Sequence, residues 1–294
     1  MGVESTPINL DKSIKTTTML YIKETIVAGR TILTRIKATT RIKTENQKRQ
    51  KKTNPTSEAV RKVNLQNAVW KLTSILNGNF SGKDYHITLT YSGTEPTKEQ
   101  AKKNLTNFQR AMKRICDKNR VEWKWVAVTE YENHRIHHHI VCSGVDLQIL
   151  KDKWKHGYVN CKMLDASGEY SQLADYLIKE TEKTFRLPDS VNRKRYSSSS
   201  NIIIPAVKRE DVSERVVNRE LKAVKGYYID LASVRRYEHA ILQVECMEYI
   251  QISLEDEPRI KQWRRGVKTN FEKHYKEEWP AQIDMNMWME DICL

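Results

Sequence analysis

The sequence predicts an α+β protein built around a central antiparallel sheet. Stretches rich in β-branched residues interleave with stretches of helical periodicity. The segment Val126–Cys142 reads as two strands folding back on one another. A hydrophobic fraction of 39%, with only 10 Gly and 7 Pro in 294 residues, is enough for a core and excludes collagen, low-complexity arrays and disorder.

Residues 16–41 contain two β-rich stretches around Ala28-Gly29, which predicts a hairpin. Leu65, Ala68, Val69, Leu72, Ile75 and Leu76 recur at steps of three and four, so residues 57–77 should form a helix. Residues 84–91 (DYHITLTY) read as a strand. Thr97, with Gln100 three residues on, has the form of a capping box. The helix it opens runs to about 117, its buried face marked by Leu105, Phe108, Met112 and Ile115. Strands over 122–130 and 136–143 follow, then a short helix, a strand near 157–164 and a helix over about 170–183. Beyond Pro205 the pattern weakens. Ile260, Trp263, Val267, Phe271 and Tyr275 sit at helical spacing and mark one amphipathic helix, which either packs on the body or binds a partner. The expected division is a hairpin and basic segment (1–56), a core (57–205) and a mostly helical C-terminal extension without an assigned role (206–294).

The chain carries 51 Lys plus Arg against 37 Asp plus Glu, a net charge of +14, which points to an anionic partner and first to nucleic acid. Residues from Cys246 onward hold 7 basic and 10 acidic residues, so the first 245 carry +17. Residues 41–62 are the densest basic stretch, readable as a solvated linker or as an arm along a DNA backbone. No apolar run approaches the roughly 18 residues that span a bilayer, and no membrane association is expected. The five cysteines are widely spaced with no C-x-x-C pair, which fits neither a disulfide framework nor a zinc ribbon and suggests a reducing cytoplasm.

The chemistry concentrates in Val126–Cys142, VAVTEYENHRIHHHIVC. With the turn centred between Asn133 and His134, Glu130 pairs with His137. Opposed side chains in an antiparallel pair share a face with Cβ atoms about 4.5–5.5 Å apart. His139, two residues on, lies on the same face, and His138 points away. Two imidazoles and a carboxylate make a mixed site suited to a divalent metal with open positions. His134, His138 and His86 are read as structural. Further on, Tyr176 and Lys179 in SQLADYLIKETEK share a helix face, with Lys183 one turn beyond, while Ala174 and Ile178 point to the core. A metal and an ammonium near a tyrosine make attack on a phosphodiester plausible chemistry.

The order TLTY (Thr88–Tyr91), Glu130 with His137-His138-His139, then Tyr176-x-x-Lys179 resembles the HUH endonucleases of rolling-circle replication. It is most similar to the replication-initiator (Rep) proteins of bacterial plasmids, phages and integrative elements, including the filamentous-phage gene II-like group. The resemblance covers roughly residues 15–205. It implies an RRM-like sandwich with a central antiparallel sheet, Mg²⁺ or Mn²⁺ on His137 and His139 with Glu130 as third ligand, Tyr176 as nucleophile and Lys179 beside it. It further implies single-stranded origin DNA as substrate, a host helicase and DNA polymerase as partners, a bacterial cytoplasmic setting and no small-molecule cofactor. The segment NRKRYSSSSNIIIP (192–205) looks like the basic, serine-rich stretch of such proteins, so Lys183, Arg193, Lys194 and Arg195 are candidate DNA contacts. Three features depart from the pattern: His138 stands where a hydrophobe is usual, Tyr170 lies about 240° around a helix from Tyr176 and is a poor second nucleophile, and no G-x-x-x-x-G-K-[ST] is present. An HUH transposase or mobilisation relaxase would share the chemistry, and a non-catalytic copy-control DNA-binding protein is the alternative from another class.

Overall fold

The computed structural model describes residues 20–39, 57–131, 135–182 and 194–256. These residues form two five-stranded antiparallel sheets and four α-helices. The central hairpin is β4 (Trp125–Glu130) with β5 (His137–Cys142). With β3 (Tyr85–Thr90), β6 (Val159–Met163) and the short β7 (Ser197–Ser198) it makes a sheet of order β6-β3-β5-β4-β7. The second sheet has the order β8-β1-β2-β10-β9, from β1 (Leu20–Ala28), β2 (Thr31–Thr39), β8 (Lys208–Val212), β9 (Tyr227–Glu238) and β10 (Glu245–Ser253).

Each helix follows from its sequence. Ser57 caps α1 (Glu58–Asn79) by accepting from the Val60 amide. Thr97 and Gln100 form the expected capping box of α2 (Lys98–Lys118): Gln100 N donates to Thr97 Oγ1 at 3.2 Å, and Thr97 N to Gln100 Oε1 at 3.0 Å. Leu105, Phe108 and Met112 of α2 are buried against Ile87, Leu89, Ala127 and Ile140 of the central sheet. Cys116 completes that row and Ile115 is only half-buried. The short α3 (Leu147–Lys153) lies on this side too, through Leu150. On the opposite face, Val126, Val128 and Val141 pack against α1 and α4 (Ser171–Glu182) through Leu72, Ile75, Leu76, Ala174, Leu177 and Ile178.

The helix α1 lacks a single polar face because it packs on two layers. Its Leu72, Ile75 and Leu76 meet the central sheet, and Trp70 joins Ile26, Ala28, Leu33 and Ile250 of the second. Asn77 ties the two together: its amide nitrogen donates to Thr31 Oγ1 at 3.0 Å, and its carbonyl oxygen accepts from Tyr170 N at 2.9 Å. The β1–β2 loop passes so close that a side chain at Gly29 (φ 56°) would overlap the Asn77 carbonyl, which makes glycine necessary there.

The expected mostly helical C-terminal extension is corrected over residues 206–256. There the chain forms β8, β9, β10 and a 3₁₀ turn (Glu214–Asn218), and joins the N-terminal hairpin in one sheet. Strand β10 sits between β2 and β9 and is buried on both faces from Cys246 to Ser253. It therefore shows no hydrophobic–polar alternation, the signal by which a strand is recognised. The helix expected around Ile260–Tyr275 and most of the basic stretch 41–62 lie outside the described residues. Among the described residues, no helix is long and apolar enough to cross a membrane.

One row of the second sheet carries alternating charge across all five strands: Arg209, Glu24, Arg35, Glu248 and Arg235 are successive register partners. Arg35 also meets Asn67 Oδ1 at 2.8 Å and stacks on Trp70 of α1, so the row faces the helix layer.

Candidate metal centre and tyrosine site

The pairing assumed from the sequence is present: Glu130 opposes His137 and Val128 opposes His139. On the other side of β5, Thr88 opposes His139 and His86 opposes Val141. Strand alternation therefore collects Glu130, His137, His139, Thr88 and His86 on the α4 side of the sheet. The apolar end of this face (Val126, Val128, Val141) anchors α4, which brings Tyr176 over the polar end.

His137 Nε2 lies 3.1 Å from Glu130 Oε2 and 3.0 Å from His139 Nε2, and the Tyr176 hydroxyl is 3.1 Å from the same His139 Nε2. Ligand atoms of Glu130, His137 and His139 all fall within 4.8 Å of one another, so the three could hold a metal ion. Outer contacts favour the tautomers a metal needs. His137 Nδ1 is 2.9 Å from the Arg135 carbonyl, which only accepts, so Nδ1 carries a proton and Nε2 is the atom turned to the cluster. His139 Nδ1 meets Thr88 Oγ1 and His86 Nε2, each at 3.3 Å and each able to accept, which leaves its Nε2 facing the cluster.

Burial, then the neighbouring His137 and His86, pushes His139 down to about 3. Burial, then Lys162, pushes His86 down to about 4. Both rings are thus neutral near pH 7. Two imidazole nitrogens and a carboxylate converge, and Glu130 Oε1 is buried with no hydrogen-bond partner. Such a donor set fits a divalent cation. Tyr176 is 40% exposed, open enough for a substrate to reach. Burial, then the Glu180 and Glu130 carboxylates, raises its phenol above the ordinary value.

The other candidates are placed as follows. His138 faces α2, bonded to Tyr91 Oη at 2.9 Å and Thr129 Oγ1 at 2.8 Å, which is the structural placement expected. Tyr170 is buried with its hydroxyl donating to the Asp165 carbonyl, away from the cluster. Ala174 and Ile178 are buried as expected. Lys179 directs its ammonium to Asp175 Oδ2 at 2.6 Å rather than into the cluster. Lys194 is exposed and Arg195 half-buried beside β7, on the outer edge of β4, with Arg195 Nη2 4.0 Å from Glu182 Oε1. Lys183, Arg193 and His134 lie outside the described residues.

Sequence reasoning set His86 aside as structural, and the structure puts it against His139 with its ring centroid 6.4 Å from that of Tyr176. The available signal was parity with Thr88 in TLTY, but it needed the register of β3 on β5, which no local turn sets.

No curated protein and no solved structure matches the chain. The model of the family described as "Replication-associated protein ORF2/G2P" matches residues 84–185, from β3 to just past α4, a stretch that contains Thr88, Glu130, His137, His139 and Tyr176 and so makes the site-bearing part of the chain similar to replication-associated proteins.

Proposed function

We propose that the chain nicks and rejoins single-stranded DNA at a replication origin through a 5′-phosphotyrosine intermediate, and so initiates rolling-circle replication. The observation that carries this reading is the Tyr176 hydroxyl 3.1 Å from His139 Nε2, at the rim of the Glu130, His137 and His139 cluster.

In the proposed step, Tyr176 Oη attacks the scissile phosphorus. The tyrosine–phosphorus bond forms as the bond from phosphorus to the 3′ oxygen breaks; the phenol proton is lost and the departing 3′ oxygen gains one. The free 3′ hydroxyl then serves a polymerase, and the reverse attack by a 3′ hydroxyl rejoins the strand. Because Tyr176 is held above its ordinary value, the unaided side chain is a neutral phenol near pH 7 and a weak nucleophile. Mg²⁺ or Mn²⁺ held by Glu130, His137 and His139 would favour the phenolate and offset charge on the phosphate oxygens. Thr88 and the Arg135 carbonyl hold the two histidine rings in place. Lys179, one turn from Tyr176 and ion-paired with Asp175, would have to leave that carboxylate to meet the phosphate, and Lys183, Arg193, Lys194 and Arg195 contact the DNA backbone. A host helicase opens the duplex.

The test is a denaturing gel of purified protein with labelled single-stranded oligonucleotides tiling its own gene's neighbourhood, with Mn²⁺ or EDTA. A metal-dependent protein–DNA adduct is expected, absent in Tyr176→Phe while DNA binding persists. Adduct formation by Tyr176→Phe, or loss of DNA binding to the same degree as the adduct, would overturn the assignment.

A further inference from the structure

A cleft of about 740 Å³ lies between α2 and the outer edge of β4, with residues 194–201 as its third wall. It runs along the outer edge of β4. Of its lining, Ala127 packs toward α2, whereas Val128 and Tyr196 pack toward α4, so the cleft draws on both faces of that edge. The volume is in the range of small-molecule sites.

The walls combine three kinds of chemistry. Lys102 and Arg110 of α2 and Arg195 opposite supply positive charge, and Trp125 and Tyr196, both half-buried, supply aromatic surface. Gln109 lines the cleft at 6% exposure. Its Oε1 accepts from Trp123 Nε1 at 3.0 Å, and because an indole N–H only donates, this bond settles which end of the amide is which. Gln109 Nε2 is then a buried donor with no hydrogen-bond partner. A buried donor left so is costly; Nε2 itself has almost no accessible surface, so an acceptor reaches it only when the side chain turns toward the cleft, and that contact removes the cost.

Cations call for phosphate, aromatic surface for a planar ring, and a single fixed amide donor for a ring nitrogen or carbonyl on that ring's edge. A nucleobase on a single strand supplies all three, whereas paired and stacked bases of a duplex do not. We propose that this cleft is a base-reading subsite for single-stranded DNA, in which an unstacked base lies against Trp125 and accepts a hydrogen bond from Gln109 Nε2 while Lys102, Arg110 and Arg195 hold the adjoining phosphates. The proposal rests on the reading of the chain as an origin nickase and adds where the strand is recognised: along the outer edge of the strand that carries Glu130.

The test uses the full chain in EDTA, so that no cleavage occurs, and reads the anisotropy of labelled oligo-dT, oligo-dC and oligo-dA. Gln109→Glu keeps the acceptor for Trp123 and replaces the free donor by an acceptor. It is expected to weaken the tightest of the three by about tenfold and to change their order. Trp125→Leu should weaken all three by about tenfold. Wild-type affinities and order in both variants would overturn the proposal, as would displacement of the DNA by a polyglutamate peptide at equal concentration, which would mean that charge alone is recognised. Should Gln109→Glu fail to fold, photocrosslinking of 5-iododeoxyuridine oligonucleotides to the wild-type chain decides the matter: crosslinks at Trp125 or Tyr196 support the subsite, and crosslinks confined elsewhere contradict it. The outcome is separable from the nicking assay. An adduct with an unchanged base order in Gln109→Glu would sink only the subsite; a changed order with no adduct on any oligonucleotide would sink only the chemistry.

Discussion

In the second sheet, the Glu24 carboxylate is 3% exposed and lies 2.8 Å from Arg35 Nη2 and 3.0 Å from both Lys37 Nζ and Arg209 Nε. In the central sheet, Glu130 is equally buried but faces the imidazoles of His137 and His139 and leaves Oε1 unbonded. Burial by itself raises a carboxyl's pKa; around Glu24 the charges and hydrogen bonds of Arg35 and Lys37 outweigh it and hold the group down at about 2. The ladder of Arg209, Glu24, Arg35, Glu248 and Arg235 therefore sets its carboxylates against cations of the same fold, whereas the Glu130 cluster could hold a metal ion. The contrast is between a buried carboxylate met by internal cations and one grouped with other metal-ligating atoms.

Removal of the buried Glu24 carboxylate acts first on stability. Glu24→Ala strands Arg35 in a buried position, and chemical denaturation should show a loss of about 3–5 kcal/mol. A loss no larger than that of a surface substitution would show that the ladder contributes little.

Acid sharpens the same contrast. Glu24 has a folded pKa of about 2 against an ordinary 4.5, so its contribution is fully present above pH 4.5 and is lost as pH falls from there toward 2. At most about 3 kcal/mol is involved, less whatever solvent screening at the open Arg209 removes. Denaturation midpoints compared between wild type and Glu24→Gln should converge across that window. A constant gap down to pH 2 would contradict the assignment.

A smaller change tests the shell of the site. Thr88→Val removes the hydroxyl at His139 Nδ1 and should weaken Mn²⁺ binding about tenfold, with little change in the melting temperature of the metal-free protein. Unchanged affinity would mean that His86 alone orients the ring.

These two regions were not equally legible in the sequence. The Glu130–His137 pairing could be read because only six residues separate the two strands and the midpoint of the segment sets the register. The Tyr176 helix was legible from Ala174 and Ile178, whose spacing gives the buried face. His86 was missed because α2 and β4 intervene between β3 and β5, so no count of residues reveals that Thr88 opposes His139. The charge ladder was illegible for the same reason on a larger scale. Its members come from β1, β2, β8, β9 and β10, and β2 finds β10 across some two hundred residues, with Ile36 opposite Met247. Burial of β10 on both faces removed the alternation that would have marked it as a strand.

Glu130 belongs to a group that could hold a metal ion and Glu24 to one closed by its own cations, and Mn²⁺ titration followed by electron paramagnetic resonance distinguishes the two. One tightly bound ion per wild-type chain is expected, retained in Glu24→Gln and lost in both Glu130→Gln and His139→Ala. Binding that survives in Glu130→Gln and His139→Ala would contradict the account.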